Sequence, residues 1–273
     1  MAEKFIDIEK LIADKNPRLL KRMPGFVLRY LKRKMHEDDI NKIIDENKAN
    51  IDYDFCVALV KRFKLTIKAT GLENIPKTGG AIFASNHPLG GMDAAAIVYA
   101  THSTRQDIKF IVNDVLLRIP NLKNLVVGVN KHGINTKESI EELNKLFESE
   151  QAIFVFPSGL VSRRIRGKVQ DLEWKKTFIT RAKKYNREII PVYIDGELEN
   201  FFYRLANFRK FIGIKANIEM FYLVDQVFQQ ENKTITVNFG KPIPSSTFDK
   251  TKKDLEWADW VKKEVYKMSV KKK

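Results

Sequence analysis

Residues 81–100 read AIFASNHPLGGMDAAAIVYA. The opening AIFAS is a short, continuous apolar run bounded by turn residues, the pattern of a strand buried on both faces. A loop with one proline and two adjacent glycines follows, and the chain then continues as a small-residue apolar helix. Strand, loop and helix in this order predict one unit of an α/β sheet. The loop then lies at the carboxyl end of its strand, where open α/β sheets carry their functional groups. It holds His87, and the helix that leaves it opens near Asp93. Each is costly to bury unless paired.

The same alternation extends outward. RFKLTIKAT, IKFIVN, LVVGVN, AIFVFP and EIIPVYI read as strands, with TITVNFG and ANIEMFYLV as later ones. Between them MDAAAIVYATH, TKESIEELNKLFESE and LEWKKTFITRAKKY have helical periodicity, and KKDLEWADWVKKEVYKM closes the chain as a helix. The expectation is an α/β fold: a mixed, largely parallel central sheet flanked by helices. Residues 1–62 form an N-terminal helical, membrane-associating region, and residues 63–273 an α/β catalytic domain.

Composition fits an ordered globular chain, with 44% hydrophobic and 30% charged residues. The single cysteine, Cys56, excludes an intrachain disulfide and is expected as a core residue in a reducing cytoplasm. MAEKFIDIEK lacks the apolar core of a signal peptide. The longest stretch free of Lys, Arg and Glu, 78–104, is broken by His87 and Asp93, so it reads as core and site rather than a membrane span.

A net charge of +15 predicts a polyanionic neighbour: an anionic membrane, an acidic protein or nucleic acid. Segment 17–34 carries seven cations and no acid among apolar residues, split by Pro24-Gly25, which suits a membrane surface. FFYRLANFRKFIGIK at 201–215 reads as a second interfacial patch. Aromatic and basic mixing also suits single-stranded nucleic acid, but no nucleic-acid-binding signature accompanies it, and no nucleic acid is expected.

The chemistry is read from the loop. Gly90-Gly91 permits a sharp turn that sets the Asp93 carboxylate against one imidazole nitrogen of His87. The carboxylate fixes the tautomer and stabilises the imidazolium, leaving the other nitrogen to accept a proton. No G-x-S-x-G accompanies the pair; FPSGLVSRR at 156–164 lacks the first glycine. The attacking group therefore belongs to the substrate, a hydroxyl or amine that His87 activates. His36, His102 and His132 have no partners at metal-ligand spacing, so no metal site is expected, and no redox cofactor is implied.

NHPLGGMD resembles the His-x4-Asp signature of the glycerolipid (lysophospholipid) acyltransferase family, whose members include 1-acyl-glycerol-3-phosphate acyltransferases. Three more blocks follow in that family's order. VVGVNKHG at 126–133 is similar to the second block, with Gly128 and Lys131 at its acceptor-binding positions. VFPSGLVSRR at 155–164 is similar to the third, usually FPEGTRS, and IIPVYI at 189–194 to the fourth, with Pro191 matching. This chain departs from the pattern in two places. Five residues rather than four separate His87 from Asp93, and Ser158 stands where glutamate is usual, with Leu160-Val161 replacing Thr-Arg.

The resemblance is greatest to the bacterial branch with NHPLGG, which includes enzymes of lyso-amino-acid lipids. It implies a peripheral O-acyltransferase of membrane lipid biosynthesis at the cytoplasmic face of the inner membrane. A fatty acyl group would move from an acyl carrier protein or coenzyme A thioester to a lyso-lipid hydroxyl. His87 is the implied base and Asp93 its partner; Gly90, Gly91, Gly128, Lys131, Ser158, Gly159, Arg163, Arg164 and Pro191 are the implied substrate-binding positions. Arg163 and Arg164 stand as acceptor cations. The rival readings are a basic, non-catalytic nucleic-acid- or membrane-binding protein and a lipid hydrolase using the same pair.

Overall fold

In the computed structural model, which describes residues 4–112, 116–128 and 137–269, the strands are Thr66–Thr70 (β1), Ala81–Ser85 (β2), Ile108–Val112 (β3), Val126–Gly128 (β4), Ala152–Val155 (β5), Arg163–Ile165 (β6), Lys168–Gln170 (β7), Glu188–Asp195 (β8) and Thr234–Phe239 (β9). Seven form one sheet in the order β1-β9-β8-β2-β5-β3-β4, and β6 and β7 make a separate hairpin. Strands β8, β2, β5, β3 and β4 run parallel, so their carboxyl ends share one edge. Strand β9 is antiparallel to β8, and β1 is parallel to β9. The sheet is thus mixed and largely parallel, as the sequence predicts.

The helices are Ile8–Lys15 (α1), Pro17–Arg22 (α2), Gly25–Lys34 (α3), Glu37–Glu46 (α4), Tyr53–Arg62 (α5), Gly91–Thr101 (α6), Lys137–Glu148 (α7), Thr177–Lys184 (α8), Asn200–Phe211 (α9), Leu223–Phe228 (α10) and Asp254–Lys267 (α11). Every residue of β2 is buried, and successive side chains enter opposite cores because a strand alternates its faces. Phe83 joins the core that holds Phe55 and Val60 of α5 and Ala95 of α6. Ile82 and Ala84 join the other, with Phe147 of α7, Ile179 of α8 and Val261 of α11. The result is a sheet between two helical layers.

One apolar core spans the boundary at residue 62. Ile8, Leu31, Ile43 and Ile44 pack into the same cluster as Phe83 and Phe110, so α1–α5 cover one face of the sheet. Cys56 is buried there, and burial pushes its thiol up to about 12, which leaves it protonated and unreactive at neutral pH. Among the described residues no helix is long and apolar enough to cross a membrane.

Three local expectations change. ANIEMFYLV is not a strand: residues 218–222 form a 3-10 turn that leads into α10, and Met220, Leu223 and Val227 meet the core at helical spacing. LEWKKTFITRAKKY becomes helical only at Thr177, because Trp174 is buried with its indole N–H on Asp171, and the Lys175 N–H donates to the Pro157 carbonyl. The β6–β7 hairpin, unanticipated, turns at Arg166-Gly167, both at positive φ (50° and 80°). A residue-glycine pair between short alternating runs was its signal in the sequence.

Candidate active site

Strands β2 and β5 lie side by side at the centre of the parallel edge, and the chain leaves them in opposite directions: from β2 to β3 past β5, and from β5 on to β8 beyond β2. Such a switch point opens a crevice at the carboxyl ends of the strands. His87 stands just beyond β2. Phe156, the first residue beyond β5, stacks its ring on the imidazole at 4.1 Å between centroids.

Gly90 adopts φ 68° and ψ −131°, a conformation open essentially to glycine, and a side chain there would also crowd Leu223. Helix α6 starts at the next residue, so Asp93 lies in its first turn, where the helix dipole favours an anion. This turn absorbs the additional residue between the pair. Asp93 is fully buried and its Oδ2 lies 2.8 Å from His87 Nδ1. The Leu89 N–H also donates to the carboxylate, at 3.0 Å. Burial raises the Asp93 pKa above the ordinary carboxylate value, and the nearby Asp171 charge adds to this; the hydrogen bonds from His87 and Leu89 oppose it. With Asp93 ionised, Nδ1 is the protonated nitrogen and Nε2 carries the lone pair. The His87 side chain keeps 19% of its surface exposed. The arrangement can move one proton between Nε2 and a substrate heteroatom.

Two residues that sequence reasoning missed hold this loop in place. Asn86 continues the β2–β8 ladder past its last strand residue: its side-chain oxygen accepts the Ile194 N–H at 2.7 Å, and its amide donates to the Ile194 carbonyl at 2.9 Å. Asp171, buried, accepts the His87 backbone N–H at 3.2 Å, the Ser162 hydroxyl at 2.5 Å and the Trp174 indole N–H at 2.8 Å. Ser162 in turn donates its N–H to the His87 carbonyl at 2.8 Å. The histidine loop is thereby fastened to the segment after FPSG. Asn86 adjoins the motif and could have been suspected; Asp171, 84 residues from His87, carries no local signal.

The third block lies beside the imidazole through Phe156. Gly159 turns at φ 67°, and the Ser158 hydroxyl donates to the Leu160 carbonyl at 2.6 Å, so Ser158 ties its own loop together. Arg163 and Arg164 part company. The expectation that both clamp an acceptor is corrected for Arg163, which is buried and donates to Glu219 at 2.8 Å and to the Val161 carbonyl at 2.6 Å. Arg209 holds the same carboxylate. Burial would raise Glu219, but hydrogen bonding and charge from Arg209, with the charge of Arg163, hold it below the usual carboxylate range. Arg164 stays partly exposed, stacked over Tyr203 at 4.8 Å and donating to Asn200 at 2.7 Å.

Gly128 ends β4 on the same edge, and a side chain there would strike Leu117. Lys131 and His132 lie outside the described residues. Pro191 lies buried inside β8, in register with Ala84, and its carbonyl accepts the Gly240 N–H at 2.8 Å. Gly91 has open space around it.

Residues 10–272 match the profile of a family described as Acyltransferase. The chain belongs to that family. Two curated relatives align along nearly its whole length. The lyso-glycine lipid O-acyltransferase of Bacteroides thetaiotaomicron is 42% identical over 265 residues, 97% of each chain. The lyso-glycine lipid O-acyltransferase of Phocaeicola vulgatus is 40% identical, covering 97% of this chain and 95% of its own. Among solved structures, the 1-acyl-sn-glycerophosphate acyltransferase of Thermotoga maritima overlays 97% of this chain and 94% of its own, at 19% identity and a TM-score of 0.49. The protein is thus an acyltransferase, and the His87–Asp93 pair is the candidate for its chemistry.

Proposed function

We propose that this acyltransferase moves a fatty acyl group from a thioester to the hydroxyl of a lyso-lipid with an amino-acid head group, a lyso-glycine lipid first among candidates. The observation that carries the reading is the His87–Asp93 pair beside the FPSG loop, in a chain 42% and 40% identical to lyso-glycine lipid O-acyltransferases. His87 Nε2 takes the proton from the acceptor hydroxyl, and that oxygen attacks the thioester carbonyl. Asp93 holds the ring and balances the imidazolium. Collapse of the tetrahedral intermediate forms the ester and expels the thiolate, which recovers its proton from Nε2.

The donor is an acyl carrier protein or coenzyme A thioester, either of which is acidic and suited to a chain of net charge +15. An amino-acid head group joined through its nitrogen keeps a carboxylate, which the partly exposed, planar guanidinium of Arg164 would hold in competition with Glu197, 3.9 Å away. The enzyme works at the cytoplasmic face of the inner membrane as a peripheral protein. Arg18, Lys21, Arg22, Arg29 and Arg33 are exposed along α2 and α3 and face the anionic surface.

The test incubates the purified protein with acyl donors and a panel of lyso-lipids, lyso-glycine lipid and lysophosphatidic acid among them, and analyses the products by mass spectrometry. The reading requires thioester consumption that depends on the lyso-lipid, an O-acylated product, and loss of about 10²–10⁴ in rate in His87→Ala. Thioester hydrolysis indifferent to the lyso-lipid would make the protein a hydrolase instead. A product from lysophosphatidic acid alone would replace the amino-acid head group.

A further inference from the structure

A segment that is surface throughout ends α9. Residues 210–217, KFIGIKAN, are exposed one after another, and Phe211 shows 87% of its surface to solvent. Ile212 and Ile214 beside it and Phe208 one turn earlier are exposed too. Single exposed apolar residues are ordinary; a contiguous group on one protrusion marks an interaction site.

The protrusion is braced from within. Gly213, at φ 77°, turns the chain back, and the N–H groups of Gly213 and Ile214 donate to the carbonyls of Lys210 and Arg209 at 3.1 and 2.9 Å. Arg209 then reaches under the turn, donating to the Ile214 carbonyl at 3.1 Å and to the Asn217 side chain, while its Nε holds the buried Glu219. Burying a carboxylate between two guanidiniums carries a large desolvation cost. What it secures here is a turn of fixed shape that keeps Phe211, Ile212 and Ile214 outside the core.

The surroundings are basic. Arg204, Lys210 and Lys215 are exposed around the turn, and no acid occurs from residue 200 to 218. Tyr222 joins this face to α3: its hydroxyl lies 3.1 Å from that of Tyr30, and its ring centre 5.1 Å from that of Phe201. Phe26 on α3 is 67% exposed, and no acid occurs from residue 16 to 36. Helix α9 follows β8, whose carboxyl end lies on the edge that carries His87.

We propose that residues 211–214 are a preformed wedge that inserts into the acyl region of an anionic bilayer, with Lys210, Lys215 and the cations of α2 and α3 in the head-group layer. This rests on the interfacial reading above and names the element that enters the membrane. The competing occupant, an acidic carrier protein, would meet the cations but leave the protruding apolar tip unmatched. A bilayer takes both.

The experiment uses the full chain and vesicles of phosphatidylcholine with phosphatidylglycerol, free of acceptor lipid and thioester, so its result does not depend on the chemistry. Phe211→Trp should show blue-shifted emission on mixing, relative to the unsubstituted chain, and quenching by lipids brominated on their acyl chains. Phe211→Glu should lower vesicle affinity about tenfold to a hundredfold, the worth of burying one large apolar side chain, with unchanged circular dichroism and thermal midpoint. Emission from Phe211→Trp that ignores vesicles would overturn the proposal. So would Phe211→Glu binding vesicles as the unsubstituted chain does, whether or not it loses affinity for an acyl carrier protein.

Discussion

Replacing Asp93 by asparagine should separate activity from stability. The carboxylate is fully buried, 2.8 Å from His87 Nδ1, and takes a second hydrogen bond from the Leu89 N–H. An asparagine oxygen can still accept from Leu89, but the amide group cannot offset an imidazolium and favours the wrong tautomer. Losing that function costs about 10²–10⁴ in kcat, or about 2.7–5.4 kcal/mol of transition-state stabilisation at about 1.36 kcal/mol per decade. Stability should move the other way. Burial raises Asp93 in the folded state above its unfolded value, so the folded chain holds the extra proton between the two. The stability contributed by that proton is lost as pH rises through the folded pKa, at about 1.36 kcal/mol for each pH unit of elevation. Above the folded pKa the ionised carboxylate is therefore a net cost that asparagine removes. The assays are steady-state acyl transfer and thermal unfolding, each at several pH values. Expected are a collapsed kcat and a melting temperature equal to or above the parent's at neutral pH, the difference vanishing in acid. Full activity, or an inactive variant that melts well below the parent, would make Asp93 a structural helix residue and refute the reasoning.

The two adjacent arginines should respond differently: Arg163→Ala leaves the buried Glu219 to Arg209 alone and costs about 3 kcal/mol of stability, whereas Arg164→Ala leaves melting unchanged and raises the acceptor KM but not the donor KM. A donor KM that rises alone in Arg164→Ala would reassign this residue to the acyl carrier. Asp171→Asn should lower kcat while the folded fraction binds substrate with an unchanged KM, because the carboxylate that holds the His87 backbone N–H and the Ser162 hydroxyl is weakened; a role in folding alone would lower the melting temperature and leave the kcat of the folded enzyme in place. Reversing Arg22, Arg29 and Arg33 to glutamate should weaken binding to anionic vesicles at least a hundredfold, at about 1 kcal/mol per cation, with strong salt dependence. Lys32 and Lys34 are poor choices for that experiment, since they pair with Glu9 and Asp225. Binding indifferent to salt and lipid charge would exclude an electrostatic surface.

Residues close in the chain were legible from their order. AIFAS followed by the glycine turn and the small apolar helix determined a buried strand, a loop at its carboxyl end and the meeting of His87 with Asp93, because all of these are set within a few residues by periodicity and backbone freedom. The strand alternation and parallel sheet followed for the same reason. Contacts between distant segments decided the remainder. Arg163 and Arg164 are neighbours of one residue type, yet a strand sends them to opposite faces, and Glu219, 56 residues further on, claims only the first. ANIEMFYLV has the apolar content of a strand, but its place against α3 and α9 makes it a turn and a helix. Asp171 reaches the His87 loop only once α11 and the segment after FPSG have closed around it. Local sequence sets periodicity and turn geometry; which buried charge meets which partner is an outcome of long-range folding, since an unpaired charge cannot stay in the core.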